Sequence, residues 1–244
     1  MASQPIVIGL CGPNGAGKST TYTALVAERI IPVLPWVNAD ELLVQLVTQG
    51  EVSLSEFGLR AVSARAFNSA VETHPLKASL VAQGRSLGLL AFGDPPTITT
   101  DAEATAYEAA LATALIRGCL VAERVSFSFE TVMSHPSKIA LFSRAAAAGY
   151  QTQMIFVCTQ DVELNVARVK QREREGLHGV PPDKIRSRYR RCLDLLPQAA
   201  SHCDFVYLLD TTRDERELVA TKTPEGWSVH TELPAWAEPT VDVS

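Results

Sequence analysis

The amino-acid sequence predicts a doubly wound α/β fold with a mainly parallel, five-stranded sheet, and three observations predict it. Short apolar runs bounded by turn residues alternate with stretches of helical pattern. The runs lack the polar alternation of half-exposed strands, as strands covered on both faces do. The first of them, Ile6–Cys11, leads into Gly12-Pro13-Asn14-Gly15-Ala16-Gly17-Lys18-Ser19, with Thr20 directly behind, and that loop opens a helical pattern over residues 20–29.

Glycine, four residues, glycine, lysine and a hydroxyl form the phosphate-binding loop. Its glycines let backbone N–H groups turn inward and make an anion nest at a helix N-terminus. Lys18 is expected to reach the β- and γ-phosphates, and the Ser19 hydroxyl to take one coordination position on Mg²⁺. A Gly-rich turn that matched by accident would not need a strand before it and a helix after it. A nucleoside triphosphate is the expected ligand of Gly12, Pro13, Asn14, Gly15, Ala16, Gly17, Lys18, Ser19 and Thr20.

The remaining elements follow in order. Further strands are expected at residues 36–38, 124–130, 152–158 and Phe205–Asp210. Helices are expected over residues 102–117, 138–148 (closed by Gly149) and 162–175 (capped by Asp161 and ended by Gly176). A last helix, led by Asp183 after Pro181-Pro182, is expected to stop at Pro197. Residues 41–123 break the alternation. They are Ala- and Leu-rich and mostly helical in pattern, interrupted by Gly84, Gly88 and Gly93-Asp94-Pro95-Pro96. An insertion between the second and third core strands is expected to be a substrate-binding cap or extra cover for the sheet. The stretch 223–244 is expected to pack loosely or fray.

Length and composition fit one domain over residues 1–244, with 41–123 as a helical substrate-binding insertion and 162–196 as an arginine-rich lid region. A hydrophobic content of 46% with 20% charged residues is ordinary for a globular protein. A net charge of −5 argues against a general nucleic-acid binder. The N-terminus lacks a secretory pattern, and no 18-residue apolar run offers a membrane span. Five scattered cysteines without a Cys-x-x-Cys pair fit reduced, mostly buried thiols in the cytoplasm.

Four sets of residues stand out as carriers of chemistry. Asp40 ends the second strand, where its carboxylate can accept a proton from an attacking hydroxyl or simply cap the helix that follows. Glu130 ends the third strand and is favoured for the metal or substrate role. Its rival is Asp210, at the end of the cleaner apolar run. Finally, Arg168, Arg172, Arg174, Arg186, Arg188, Arg190 and Arg191 gather around one turn, with Arg168 and Arg172 four apart on one helix face. Arginine grips phosphate oxygens bidentately, so the cluster suggests a lid on phosphates; a solvated helix pair laced by Glu173 and Glu175 is the alternative.

An ABC-type ATPase would need an LSGGQ-like signature and a small GTPase an Asn-Lys-x-Asp element; the sequence has neither, which leaves a small-molecule kinase. The set Gly12–Thr20, Asn38-Ala39-Asp40, Phe129-Glu130-Thr131, Gly149-Tyr150, Arg168-Val169-Lys170-Gln171-Arg172, His178 with Val180-Pro181, and Ile185 to Arg191 resembles the zeta-toxin family of phosphate-loop kinases. The resemblance implies a core of nucleoside-monophosphate-kinase type and phosphorylation of an amino-sugar hydroxyl on UDP-N-acetylglucosamine. It also implies ATP and Mg²⁺ as cofactors and an antitoxin protein as partner. By position it makes Lys18 and Ser19 the binders of ATP and Mg²⁺ and Asp40 the base. Glu130 would hold metal or substrate, and Arg168, with Arg172 and Arg188, would neutralise the transferring phosphoryl. The sequence departs from the family at Gly176-Leu177-His178, where the family has Gly-Gly-His, and over residues 84–100, where members hold their acceptor. Two further functions therefore stand beside the first: a kinase for another nucleotide or metabolite such as NAD, and an ATP-binding regulator without an acceptor.

Overall fold

The computed structural model describes residues 4–101, 103–175, 179–213 and 215–242. The chain opens with β1 (Ile6–Cys11), α1 (Lys18–Ala27), β2 (Trp36–Val37), α2 (Ala39–Gln49) and β3 (Glu51–Ser53). It continues through α3 (Ala64–Thr73), α4 (Pro75–Ala82), β4 (Leu89–Phe92), β5 (Thr97–Thr100) and α5 (Ala106–Ala122). Then come β6 (Phe127–Thr131), α6 (Ala140–Ala147), β7 (Gln151–Cys158), α7 (Val162–Arg174) and α8 (Pro182–Ser201). The last strands are β8 (Phe205–Asp210), β9 (Glu217–Thr223) and β10 (Gly226–Val229). Residues Leu34–Ser128 form one compact unit, and the other described residues form a second, larger one.

In the larger unit the strands run β10-β9-β8-β7-β1-β6. β1 is parallel to β7 and β7 to β8, whereas β9 and β10 add antiparallel to the β8 edge. The central strands supply the core: Val7, Ile8, Leu10, Met154, Phe156, Val157, Val206 and Leu208 are all fully buried. Each such side chain contributes roughly 1.5–3 kcal/mol by leaving water. All five expected strands form, and the sheet is of the mainly parallel, doubly wound kind.

The ends of elements moved for identifiable reasons. The third core strand starts at Phe127 because Arg124, with φ 56°, and the N–H of Val125, bonded to Leu120 O, still close α5. α5 itself starts at Ala106, where a capping box fixes it: the Thr105 hydroxyl accepts from Tyr107 N–H, and Glu108 accepts from Thr105 N–H at 2.9 Å. α8 runs past the expected stop to Ser201 with Pro197 inside it. An interior proline costs about 3 kcal/mol. Burial of Cys192, Leu196, Ala199 and Ala200 along one face outweighs that cost. The described part of the last stretch, up to residue 242, does not fray. β10 pairs with β9, and Trp236 and Ala237 are buried, the Trp236 ring lying 5.9 Å from that of Phe156.

The smaller unit is mostly helical, as expected of the insertion, but it also contains strands. Between its helices lies an antiparallel sheet in the order β3-β5-β4. Leu89 and Ala91 are buried and Leu90 and Phe92 exposed, the period of two that marks a half-covered strand. The Asn68 side chain closes the β4 edge, donating to Ala91 O at 2.8 Å and accepting from Ala91 N–H at 2.7 Å. Glu123, past the end of α5, holds the loop before α3 by accepting the N–H groups of Arg60, Ala61 and Val62. Within this unit Ser128, in the first half of β6, donates its N–H to Pro35 O beside β2.

All five cysteines are free thiols, and all but Cys119 are buried. Burial pushes the Cys192 thiol from 9.0 up to about 12 and raises those of Cys158 and Cys203 further. A thiol that ionises later in the folded chain than in the unfolded one contributes fully below pH 9 and loses its contribution as pH rises. Urea unfolding is therefore expected to show stability falling between pH 9 and about 12, by on the order of 1.4 kcal/mol per pH unit for each such thiol. A Cys192→Ala variant is expected to show a shallower slope over the same interval.

Candidate active site

The phosphate loop connects β1 to α1, and its path is set by what presses on it. At Gly12, where φ is 142°, an added Cβ would collide with Val157 O of β7. At Gly15, φ 77°, it would collide with the backbone of Asn165 on α7. Only glycine fits either place. Side chains hold the loop from the same directions. Asn165, fully buried, donates from Nδ2 to Asn14 O at 2.7 Å, and its Oδ1 accepts the Thr159 hydroxyl. Arg188 of α8 donates to Asn14 Oδ1 at 3.2 Å, and the Thr211 hydroxyl donates to Ala16 O at 2.8 Å. α1 begins at Lys18, so the positive end of its dipole and its unpaired N–H groups meet the loop.

Lys18 is 5% exposed, with Nζ 2.9 Å from Pro13 O and 3.6 Å from Glu130 Oε1. The other carboxylate oxygen of Glu130 accepts the Ser19 hydroxyl at 2.8 Å. One carboxylate thus meets both Lys18 and Ser19. Its position follows from strand order: β6 lies directly beside β1. The rival Asp210 faces elsewhere. It is buried, with Oδ1 accepting from Thr212 N–H at 2.7 Å and Oδ2 from the Trp236 indole at 2.9 Å.

A carboxylate and a hydroxyl on adjoining elements are hard oxygen donors of the kind Mg²⁺ takes alongside waters and nucleotide phosphates. Among the described residues no group of three or more His, Cys, Asp and Glu side chains is gathered to hold a metal by itself. Ser19 and Glu130 fit an ion that arrives with a nucleotide.

From Lys18 and Ser19 a cavity of about 660 Å³ opens, walled further out by Glu130, Arg168, Arg172, Thr211, Arg213 and Arg216. Arg168 donates to Thr211 O at 2.7 Å, and Arg216 is ion-paired with Glu28 at the end of α1. The arginines named from the sequence divide by role. Arg168 and Arg172 line the cavity, while Arg188 braces the loop at Asn14. Arg186 joins α8 to α7 through Glu163, at 2.7 and 2.8 Å, and pairs with Asp183 of its own helix at 3.2 Å; its guanidinium holds the Glu163 carboxyl below the usual range. Arg174, Arg190 and Arg191 are exposed. Val166, Val169 and Ile185, with Val180 against them, pack the two helices together. Gly176 and His178, with Leu177 between them, lie outside the described residues.

Asp40 belongs to the smaller unit. It does not cap α2; Asn38 does, accepting from Asp40 N–H at 2.9 Å, and Asp40 is the second helical residue, exposed to solvent. Glu41 beside it accepts from Trp36 Nε1 at 2.9 Å and Asn38 Nδ2 at 3.3 Å. Sequence reasoning missed Asn165, Thr211, Arg213 and Arg216. The last three follow directly on the β8 strand end, and ligands in open parallel sheets gather at such ends. Asn165 carried no comparable signal.

Fold and loop together define a phosphate-loop NTPase of the doubly wound kind. The zeta toxin family model matches residues 97–220, just over half of the chain, and the chain belongs to that family. A crystal structure of the AvrRxo1-ORF1:AvrRxo1-ORF2 complex with ATP superposes with a TM-score of 0.60 at 16% identity, over 100% of this chain and 66% of that one. The native complex gives 0.56 at 16%, over 98% and 64%. The PezAT chromosomal toxin–antitoxin system of Streptococcus pneumoniae gives 0.53 at 14%, over 100% and 80%. These likenesses establish the shared fold, and the chain spans just under two thirds of the length of the AvrRxo1 chains it matches. No curated protein sequence matches the chain.

Of the three loop glycines with positive φ, Gly15 and Gly17 differ in surroundings, and their alanine variants should differ too. Gly15→Ala meets the Asn165 backbone, whereas an added Cβ at Gly17 meets nothing within 4 Å and suffers only its φ of 84°. Titration with ATP is expected to show a weakening of about 100-fold or more for Gly15→Ala and about 10-fold or less for Gly17→Ala.

Proposed function

We propose that the protein is an ATP- and Mg²⁺-dependent kinase that transfers the γ-phosphate to a hydroxyl of a sugar nucleotide such as UDP-N-acetylglucosamine. Membership of the zeta toxin family supports an ATP-using kinase. The observation that carries the proposal is the Lys18–Glu130–Ser19 constellation at the mouth of an arginine-walled cavity.

Phosphoryl transfer asks little covalent chemistry of a protein and much positioning and charge. The N–H groups of the loop and Lys18 would hold the β- and γ-phosphates. Arg168 and Arg172 would meet the charge that spreads over the equatorial oxygens of the transferring group, and Arg188 would act on the loop through Asn14. Ser19 and Glu130 would hold Mg²⁺, which supplies charge neutralisation between the phosphates when bound. Asp40 would take the acceptor's proton. With Asn38 performing the capping, the carboxylate of Asp40 is not needed to start α2. Residues 41–123 would take the acceptor. A protein partner of antitoxin type and a cytoplasmic setting complete the proposal; the family and the five free thiols support them. Among the described residues no helix is long and apolar enough to cross a membrane.

Incubation with γ-labelled ATP and UDP-N-acetylglucosamine is expected to yield a product heavier by one phosphate. Lys18→Ala is expected to lower turnover by about 10²–10³-fold. Asp40→Asn is expected to leave the ATP Kd within about 2-fold while turnover falls by about 10²–10⁴-fold. Transfer to a different metabolite, NAD included, would overturn the sugar-nucleotide acceptor and leave the kinase standing. ATP binding without transfer to any member of a metabolite pool would overturn the kinase.

A further inference from the structure

We propose that Trp236 and Asp210 are positioning residues for the donor nucleotide, acting through the turn Thr211-Thr212-Arg213; the inference rests on the cavity being the ATP site. The family match ends at residue 220, so Trp236 lies outside the matched residues. Its ring is nevertheless 5% exposed, set against Phe156 of β7, and its indole N–H donates to Asp210 Oδ2 at 2.9 Å.

Asp210 is a carboxylate at the end of β8, only 4% exposed. A buried carboxylate is costly unless its oxygens are hydrogen-bonded. One oxygen accepts the indole N–H and the other accepts Thr212 N–H at 2.7 Å. The second bond fixes the turn that follows the strand, and three parts of the donor site hang on that turn. The Thr211 hydroxyl bonds Ala16 O inside the phosphate loop, Thr211 O accepts Arg168 at 2.7 Å, and Arg213 lines the cavity wall. On its outer side Thr212 accepts Gln160 N–H at 2.8 Å, joining the turn to the start of the loop before α7.

The consequence is specific. Without the indole N–H, Asp210 keeps a buried oxygen lacking that donor and can turn toward another, releasing Thr212. The turn then relaxes, and with it Arg168, Arg213 and the back of the loop. Such a loss weakens nucleotide binding through Arg213 and the loop and slows transfer through Arg168, although neither Trp236 nor Asp210 lines the cavity itself. Trp236→Phe is the sharpest probe, since it keeps an aromatic ring against Phe156 and removes only the N–H donor and the smaller ring. Asp210→Asn replaces one acceptor oxygen by a donor, so it cannot accept from both Thr212 and Trp236.

The test uses the full chain and a fluorescent N-methylanthraniloyl derivative of ATP. Its Kd is read for the unmodified protein, Lys18→Ala, Trp236→Phe, Asp210→Asn and the Trp236→Phe/Asp210→Asn pair, with Trp227→Phe on β10 as a control. Trp236→Phe and Asp210→Asn are each expected to raise Kd by roughly 10-fold, and the pair by little more than either alone, as coupled residues do. The control should leave Kd unchanged. In turnover assays KM for ATP should rise with Kd, and kcat should fall as well, since Arg168 is held by the same turn. A Kd within 2-fold of the unmodified value for folded Trp236→Phe, or fully multiplicative effects in the pair, would overturn the inference while leaving the ATP site in place. Should Trp236→Phe not fold, an unchanged Kd for Asp210→Asn would overturn it equally. If the unmodified protein and Lys18→Ala bind the probe alike, the ATP site itself fails and the inference falls with it.

Discussion

The closeness of the phosphate loop to the backbones of β7 and α7 is the constraint on which the rest of the site depends. The parallel register sets Cys11 of β1 opposite Phe156 of β7, so the next residue on each strand, Gly12 and Val157, come together with no space for a Cβ. The loop then turns under α7 at Gly15, again with no space for a Cβ. Two contacts with backbone fix two points of a short loop, and the N–H groups between them have little freedom left. That is the geometry an anion nest needs before any ligand arrives. Asn165, Thr211 and Arg188 then hold what the glycines allow, each from a different element.

The second organising fact is electrostatic. An acidic chain, net −5, surrounds one cavity with Lys18 and four arginines. A lysine as buried as Lys18 is costly unless it is paired and hydrogen-bonded. Glu130 supplies the charge and Pro13 the carbonyl. Because the same carboxylate also accepts from Ser19, the lysine and the hydroxyl are coupled through a single group. A phosphate that draws Lys18 away and a cation that takes Ser19 and Glu130 would satisfy one another's requirements. Nucleotide and metal are then expected to bind better together than apart, for reasons built into one side chain.

Much of this was legible in the sequence, and the exceptions have physical causes. β1, β7 and β8 were legible because burial on both faces leaves continuous apolar runs, and the loop because its requirements are backbone requirements that glycine alone meets. Glu130 was preferred over Asp210 from strand order, and strand order does put it beside the loop. The small sheet was missed because Leu89–Phe92 and Thr97–Thr100 are too short for a period of two to stand out from the helical stretches around them. The alternative reading of Asp40 as a cap arose because aspartate often is one; Asn38, two residues earlier, has the extended backbone that a cap needs. Asn165 and Thr211 act through contacts with residues 151 and 195 positions away, and no local pattern records a partner that distant. The arginines were the subtlest case. Their abundance suggested a single purpose, but Arg168 and Arg172 face the cavity, Arg188 braces the loop and Arg186 binds one helix to the next.

The division of the chain into two compact units bears on how its specificity is built. Every loop residue, every cavity-lining arginine, Glu130 and the Trp236–Asp210 pair belong to the larger unit, so every group proposed above to hold the donor belongs to it. Asp40 and residues 41–123, proposed above for the acceptor, belong to the smaller one. Under that proposal, substitutions in the smaller unit would change which hydroxyl is presented and leave the residues of the phosphate loop as they are. A phosphate-loop protein built in this way would change its acceptor readily and its donor only with difficulty. The loop, pinned at Gly12 and Gly15 by backbone it cannot displace, is the part of the molecule with the least room to change.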